Sequence, residues 1–372
     1  MNITKKLFYL FIVAGSAVSI TKACLKSQIY SQDLQWSGAS LLLRGINPFQ
    51  EWLSGNINHE IILLQIPNYL HLLYFILLPL GSLDFNAAKV AWLAVNLTCT
   101  VLVLYLAAEE LHFSKEKTML TACLFLISTP FRNTLGNGQI SIIVLLCFML
   151  SLLSESKIIK GISSSIAIIK YSFAPPLILS LLYDRYYLSV LFAAMTNLVA
   201  VIVFCYLFKI DFIDGLVLPL KVSTLGVRIG TADIMSIFEL KFGRGNQINY
   251  VISIAFCLTV FYFFIKTTKR NRLLDLAFIS LLSLASFKHL SYDFVFLLPL
   301  LLAAVNGLLS RPLVIYGIIF WFWFGLKIVN YFIPINSALH YYIPFNFVLL
   351  LTCLLSLWHD GLLKRNSPAV VI

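Results

Sequence analysis

The chain has 372 residues, of which 60% are hydrophobic and only 12% are charged, and its mean hydropathy is +0.91. Because soluble domains carry roughly 25% charged residues, this composition excludes a water-soluble enzyme, a disordered protein and a coiled coil. An all-α, multi-pass membrane protein remains. The formal net charge of +11 is more typical of cytoplasmic loops than of a nucleic-acid site, so no nucleic-acid partner is expected.

Apolar runs predict about a dozen membrane spans. They lie at roughly 6–23, 87–108, 118–131, 139–154, 158–170, 172–183, 187–208, 247–265, 273–286, 293–309, 312–331 and 342–358. The first run could pass for a signal peptide, but a poor cleavage site follows it, so we predict an uncleaved span. The segment 61–80 is broken by prolines and polar residues and is predicted to be only partly embedded in the membrane.

Charge sets the predicted orientation of these spans. The densest basic loop holds Lys266, Lys269, Arg270 and Arg272 with no acidic residue among them, and short loops of this kind stay cytoplasmic. Both ends of the chain are then cytoplasmic, and most of the unusual polar residues collect on the outer face. Residues 1–372 are predicted to form a single transmembrane domain. The seven cysteines show no metal-binding or disulfide pattern.

The first outer loop carries a candidate general base. Asp33 lies shortly after the first span, and the residues that follow keep a helical spacing up to Arg44. A carboxylate at this position can accept a proton. A helix-capping aspartate explains the same pattern, so spacing alone leaves both interpretations open.

The next candidate is a glycine-containing turn. Gly136 and Gly138 bracket Asn137, and Gln139 follows just before an apolar run begins. Glycines open the backbone, and free N–H groups at the start of a helix favour anions. This arrangement suits a phosphate group, and a polar turn between two spans is the alternative.

Two further clusters place charged residues at the predicted outer boundary. Lys170 lies between two apolar stretches, where a lone cation needs an anion or water, and snorkelling to the interface is the alternative. The other cluster holds Lys288, His289, Tyr292 and Asp293 at the start of a span. An interfacial belt explains the lysine and the tyrosine but not the aspartate, so this cluster favours a function.

Together these four sites resemble the GT-C superfamily of membrane glycosyltransferases, and within it the family 87 enzymes that use polyprenyl-phosphate sugars. The loop 33–49 looks like that family's first-loop motif, and residues 135–140 look like its Gly-Gln turn. Residues 161–176 are similar to its Gly-Lys-Pro segment, and residues 289–299 to its His-Tyr-Asp-Pro motif. The order and spacing of the motifs agree over most of the chain. Tyr171 and Phe287 stand where many relatives have proline.

The resemblance implies a GT-C fold of about a dozen transmembrane helices, with juxtamembrane helices in a long first outer loop over a cavity. It implies inverting transfer of one sugar from a polyprenyl-phosphate donor to a hydroxyl of a cell-envelope glycan or glycolipid. Asp33 matches the family's loop aspartate, which acts as the base. No cofactor is implied and no metal ion is required, because the phosphate already leaves as an anion. The candidates for binding the donor's phosphate or sugar are Arg44, Asn137, Gln139, Lys170, Lys288, His289, Tyr292 and Asp293.

Two other functions are compatible with the sequence. A transporter or lipid flippase would need polar residues near the bilayer midplane and usually internal repeats, and neither is apparent. A non-catalytic assembly component for lipid-linked saccharides would share the lipid substrate. Composition favours a bacterial inner membrane as the location, with the site facing the periplasm or the outside.

Overall fold

The computed structural model describes residues 3–110, 114–226, 230–268, 271–332 and 335–366, and every regular element within these ranges is helical. The α-helices are α1 (Ile3–Ile29), α2 (Trp36–Leu43), α3 (Pro48–Leu53), α4 (His71–Ile76), α5 (Leu78–Gly81), α6 (Phe85–Glu110), α7 (Lys115–Ile127), α8 (Thr129–Asn137), α9 (Ser141–Leu153), α10 (Lys157–Ala167), α11 (Ala174–Tyr183), α12 (Tyr187–Phe208), α13 (Phe212–Gly226), α14 (Ile234–Phe242), α15 (Gln247–Thr267), α16 (Arg272–Ser286), α17 (Leu298–Val305), α18 (Pro312–Phe320), α19 (Leu326–Phe332) and α20 (Ile335–Asn366). Tyr171–Phe173 and Ser291–Leu297 are 3-10 turns, and Trp321–Gly325 is a π-helical turn.

Six helical segments in the described part of the chain are long and apolar enough to cross a membrane. They are Leu7–Ile29, Phe85–Glu109, Tyr187–Phe208, Gln247–Thr267, Pro312–Val329 and Leu339–Leu362. Each coincides with one of the spans predicted from the apolar runs. The described part of the chain is therefore helical throughout its regular elements and has the candidate spans expected of a multi-pass membrane protein.

The other six predicted spans correspond to shorter helices, so a count of twelve spans is not confirmed. The predicted span 118–131 divides at Ser128, whose side chain caps α8 with Pro130 in its first turn. Helix α8 and helix α9 then meet at an angle of 114° and could together form a seventh, broken span. At about 1.5 Å per residue, a 13-residue helix such as α9 reaches only about 20 Å of a roughly 30 Å hydrocarbon core.

Two of the short helices, α9 and α16, lie in the middle of the bundle. Nearly every residue of α9 and α16 is buried, as is the segment from Phe294 to Ala304. Large apolar side chains are exposed mainly on the long helices α1, α6, α12 and α15, as a lipid-facing surface requires. Helices surrounded by protein need not span the bilayer, because other helices replace the lipid around them.

The first loop packs against one end of the bundle, where α3 contacts α13, α4 contacts α12 and α5 contacts α6. It contains the short helices α2 to α5, and no continuous span covers the segment 61–80. The backbone N–H of Leu70 donates to the carbonyl of Ile169, which ties this loop to the turn that carries Lys170. Lys269 and Arg270, on which the predicted orientation depends, lie outside the described residues.

Candidate active site

Lys170 and Asp293 form a buried ion pair between the turn that precedes α11 and the 3-10 turn that precedes α17. The hydroxyl of Ser141, at the start of α9, donates to Asp293 Oδ1 at 2.8 Å, and Lys170 Nζ donates to Ser141 Oγ at 3.1 Å. The Tyr292 ring lies 5.0 Å from Lys170 Nζ, in cation–π geometry. Three segments distant in sequence thus fix the position of one ammonium group.

His289 supports the same carboxylate from the other side. Its Nδ1 lies 3.2 Å from Asp293 Oδ2, and its Nε2 lies 3.1 Å from the carbonyl oxygen of Ser283. Both partners accept hydrogen bonds, so each ring nitrogen that carries a proton donates to its partner. His289 is fully buried, and its two ring nitrogens are occupied within the protein.

Asp33 is held by the glycine-containing turn. Its backbone N–H donates to the carbonyl of Asn137 at 2.9 Å. Gly138 ends α8 with a φ of +70°, and a Cβ at this position would lie 3.2 Å from side-chain atoms of Leu34 and Ser31. Only glycine meets both demands at low cost, so this turn fixes the position of the loop around Asp33.

The Asp33 carboxyl is partly buried, and burial raises its pKa from 3.8 to about 6. A hydrogen bond from Gln139 and the positive charges of Lys170 and Lys26 limit this rise by favouring the charged form. Gln139 also accepts a hydrogen bond from the hydroxyl of Tyr69 at 3.2 Å. The result is a carboxyl group whose pKa lies close to physiological pH.

Lys288 forms a second buried ion pair. Its Nζ lies 2.8 Å from Oε1 of Glu239, which is almost completely buried on α14. Asp233 caps the same helix through a 2.7 Å hydrogen bond from the Ser236 N–H, and burial raises its pKa to about 7. Glu239 belongs to the segment 209–246, which contains none of the four motifs, so this segment supplies the counter-charge for Lys288.

A cavity of about 200 Å³ lies between these two ion pairs. Lys170, Lys288, Tyr292 and Asp293 line it, together with residues of the first loop and of α11, α13, α14 and α15. Asp33 is not among the lining residues. The side chain of Gln139 lies between Asp33 and two cavity-lining tyrosines, Tyr69 and Tyr292, with which it forms hydrogen bonds.

The remaining predicted site residues occupy different positions. Asn137 lies in the turn beside Asp33, and its side-chain oxygen is buried without a hydrogen-bond partner among the described residues. Arg44 lies away from the cavity lining and forms a partly exposed ion pair with Glu60 at 2.7 Å. The structure thus brings together Asp33, Asn137, Gln139, Lys170, His289, Tyr292 and Asp293, with Lys288 across the cavity.

Sequence analysis missed Ser141, Tyr69 and Glu239. Ser141 follows the Gly-Gln turn by two residues, so its place at the start of a helix was a usable signal. Tyr69 lies in the ambiguous segment 61–80, and Glu239 lies in the segment 209–246. No local sequence pattern marks Tyr69 or Glu239, because the role of each residue depends on a contact with a distant part of the chain.

Comparison with known protein families decides the class of this protein. The model of glycosyltransferase family 87 matches residues 72–291, which is more than half of the chain. The chain belongs to this family. It is therefore a membrane glycosyltransferase, as the resemblance of its motifs predicted. The comparison with curated proteins gives no match, and neither does the comparison with solved structures.

The region matched by the family model includes only part of the transferase's candidate site. It covers the Gly-Gln turn, Lys170, Lys288 and His289, and it ends just before Tyr292 and Asp293. Asp33 lies upstream of it. The roles of Asp33 and Asp293 therefore rest on their geometry.

Proposed function

We propose that the transferase moves one sugar from a polyprenyl-phosphate donor to a hydroxyl of a cell-envelope glycan or glycolipid, with inversion at the anomeric carbon. One observation carries this proposal. A carboxyl group with a raised pKa, Asp33, lies beside a fixed ammonium group, Lys170, that lines a cavity. This pairing supplies the base and the charge stabilisation that displacement of a phosphate requires.

Asp33 is the proposed base. As the acceptor oxygen attacks the anomeric carbon, its proton passes to the Asp33 carboxylate. The bond between the anomeric carbon and the phosphate oxygen breaks, and its electron pair leaves with polyprenyl phosphate. Because the acceptor enters opposite the departing oxygen, the configuration inverts. The sugar can reach Asp33 only after the side chains of Gln139 and Tyr69 move aside, since they separate it from the cavity.

Lys170 and Lys288 are the proposed partners of the departing phosphate. Both line the cavity, and in such a water-poor site a cation stabilises developing negative charge more strongly than in bulk water. The carboxylates of Asp293 and Glu239 hold these lysines in place through ion pairs. We therefore assign Asp293 and His289 to positioning Lys170, and Asn137, Gln139 and Tyr292 to contacts with the sugar or phosphate. Arg44 is left out of this arrangement because its partner is Glu60.

We further propose that residues 1–372 act as one domain of a bacterial inner membrane, with the site facing the periplasm. The support is the distribution of charge, since a loop as basic as 266–272 is typical of the cytoplasmic side. Helix α16 runs from that loop to the end that carries Lys288 and His289, so the site lies at the opposite end of the bundle.

A transfer assay tests the proposed function. Purified protein is incubated with radiolabelled polyprenyl-phosphate sugars and an extract of envelope lipids, and the anomeric configuration of any product is determined by NMR. We expect a glycosylated lipid or glycan whose new linkage is inverted relative to the donor. A product of retained configuration would contradict the mechanism. Failure of folded protein to transfer sugar from every donor would instead favour a transporter or an assembly component.

A further inference from the structure

A short segment with little regular structure carries two groups of the proposed mechanism. We call residues 288–294 the charged segment, which begins with Lys288 and contains Asp293. Residues 288–290 lie outside the helices that the structure describes, and a 3-10 turn begins at Ser291. Because 3-10 turns have poorer hydrogen-bond geometry than α-helices, contacts with other parts of the chain must fix the position of this segment.

Thr231 holds the first half of the charged segment. Its backbone N–H donates to the carbonyl oxygen of His289 at 3.0 Å, and its hydroxyl donates to the same oxygen at 3.2 Å. The carbonyl oxygen of Thr231 accepts a 3.0 Å hydrogen bond from Nδ2 of Asn346, on α20. Oδ1 of Asn346 accepts in turn from the indole N–H of Trp321 at 2.8 Å. A continuous chain of hydrogen bonds thus runs from the π-helical turn to the residue next to Lys288.

Trp323, in the same π-helical turn, holds the second half of the charged segment. Its indole N–H donates at 2.9 Å to the carbonyl oxygen of Phe294, the residue directly after Asp293. Trp323 is 1% exposed, so this hydrogen bond is shielded from water. One turn of helix therefore fixes both ends of the charged segment, directly at one end and through a hydrogen-bond chain at the other.

The π-helical turn and Asn346 are both unusual for a membrane-spanning helix. π-helical turns are rare and occur frequently at functional sites. A Cβ on Gly325 would lie 2.7 Å from Cε3 of Trp321, so the glycine makes room for the ring that donates to Asn346. Asn346 is fully buried within the candidate span Leu339–Leu362. An amide is costly there unless its hydrogen bonds are formed, and crossing a membrane requires neither feature.

This anchoring sets the relative positions of two cations. The charged segment carries Lys288 itself, and it carries Asp293, whose carboxylate pairs with Lys170. Charge that develops on the departing phosphate is stabilised only by groups that are already in place. Displacement of such a group by about 1 Å can cost about 100-fold in rate. Residues that fix the charged segment therefore bear directly on the rate of transfer.

We propose that Asn346 and Trp323 are positioning residues for sugar transfer. They hold the charged segment so that Lys288 and Lys170 face the departing phosphate together. Neither is among the described residues that line the cavity, so both act through the segment that they anchor. This assignment rests on the proposed function. It extends the site to α20 and the π-helical turn, beyond the region 72–291 that the family model matches.

Hydrogen exchange, followed by mass spectrometry, tests the anchoring without requiring activity. The test variants are Trp323→Phe and Asn346→Leu, which remove the two anchoring groups but keep side chains of similar shape. The control is Trp358→Phe, which removes a 2.6 Å hydrogen bond from another indole N–H of α20 to the hydroxyl of Thr267. We expect the backbone amides of 290–294 to exchange about tenfold faster in each test variant and to be unchanged in the control. Unchanged exchange in a test variant would overturn the assignment of its residue.

A further variant covers the case in which Asn346→Leu does not fold. Trp321→Phe breaks the same hydrogen-bond chain at a half-buried position, where the change of volume is better tolerated. We expect it to raise the exchange of the charged segment in the same way. Wild-type exchange in Trp321→Phe would overturn the assignment of Asn346.

Transfer kinetics separate positioning from a general loss of structure. We expect kcat to fall about tenfold or more in both test variants, with the KM for the donor within about twofold of wild type. The reason is that the donor keeps its own contacts with the cavity, whereas the cations are no longer aligned with the developing charge. Trp358→Phe should keep the wild-type value of both constants.

Three results would overturn the positioning role. They are wild-type kcat in test variants whose charged segment exchanges faster, a raised KM for the donor with unchanged kcat, and an equal fall of kcat in the control. If wild-type protein transfers sugar from no donor, the proposed function fails and the positioning role in transfer fails with it. Hydrogen exchange then separately decides whether Asn346 and Trp323 anchor the charged segment.

Discussion

A carboxylate that must accept a proton works best when its pKa lies near the working pH. Asp33 meets this condition because burial raises its pKa to about 6, while Gln139 and two lysines keep the charged form accessible. Since a base acts in its deprotonated form, the proposed role of Asp33 makes the transfer rate depend on its ionised fraction. The pKa that suits Asp33 to act as a base near neutral pH therefore comes from its surroundings and not from the aspartate side chain alone.

The pH dependence of transfer follows from this pKa. We expect kcat/KM to rise with pH through about 6 and to level off above it, because protonation of Asp33 at lower pH removes the base. The measurement is the initial rate over a pH series at low acceptor concentration. A rate that stays constant between about pH 5 and about pH 8 would show that no such base limits the reaction.

The ion pair of Lys170 with Asp293 should dominate the stability of the site. Removing one partner leaves a buried charge unpaired, so Asp293→Asn is expected to lower the free energy of unfolding by about 3–5 kcal/mol. The double variant Lys170→Met/Asp293→Leu should recover most of this loss, because no isolated charge remains. Unfolding in detergent, followed by tryptophan fluorescence, measures both effects.

The control for this prediction is the ion pair of Glu155 with Arg272, whose two side chains are largely exposed. Glu155→Gln should cost less than about 1 kcal/mol, because solvent screens exposed pairs. If Asp293→Asn costs no more than Glu155→Gln, the ion pair does not anchor Lys170.

Single residues were predictable where their chemistry was unusual for a membrane protein. Asp33, Lys170 and Asp293 were visible as charges in apolar surroundings, since such charges are expensive. Their partnerships were not visible, because the contact of Lys170 with Asp293 spans 123 positions. The same limit hid the contact of Glu239 with Lys288.

At the scale of elements, the turn between α8 and α9 connects local backbone geometry to the site. It bends the chain by 114°, holds the backbone of Asp33 through Asn137, and presents Gln139 and Ser141 to the two charged groups. Gly136 and Gly138 were the residues from which the sequence predicted this turn. The sequence-based expectation of a phosphate-binding turn remains a proposal, whereas the structure shows that the turn orders the loop around Asp33.

Substitution of Gly138 should therefore reduce activity. Gly138→Ala forces a left-handed backbone conformation that costs about 1–2 kcal/mol, and it brings a Cβ within 3.2 Å of Leu34 and Ser31. We expect loss of transfer together with reduced stability.

Gly307→Ala is the matched control for this variant. Gly307 has nearly the same φ, +69°, but no atom lies within 4 Å of the added Cβ. It should show the backbone cost in an unfolding experiment and retain transfer. Equal activity of the two variants would mean that the turn does not position Asp33.

Helices were predicted correctly where length and composition alone identify a membrane span. The six long helices follow from apolar runs of about 20 residues. The shorter ones were mistaken for spans because a buried helix and a short span have the same composition. Only packing distinguishes them, since α9 and α16 are surrounded by other helices and not by lipid.

For the whole molecule, orientation determines which compartment the site faces. Ser82, in the first loop, and Ser310, after α17, are exposed at opposite ends of the bundle. In a background with the half-buried Cys24 and Cys99 replaced by serine, we expect a membrane-impermeant maleimide to label Ser82→Cys in intact cells. Ser310→Cys should react only after the membrane is permeabilised. The reverse pattern would place the site in the cytoplasm.

The molecule as a whole combines a protein-buried set of short helices with a ring of longer spans. This arrangement leaves a polar site at one end of the bundle without exposing charge to lipid. The cavity of this site is lined by Lys170 and Lys288, each of which is paired with a buried carboxylate.

The most direct test of the account is sugar transfer by Asp33→Asn, measured beside wild-type protein and Asp84→Asn. Asp84 is an exposed residue of the same loop whose side chain caps α6, and asparagine caps a helix as well. We predict that Asp33→Asn loses at least about 100-fold in rate while it folds and binds the donor, and that Asp84→Asn keeps wild-type activity. Transfer by Asp33→Asn at the wild-type rate would show that Asp33 is not the base.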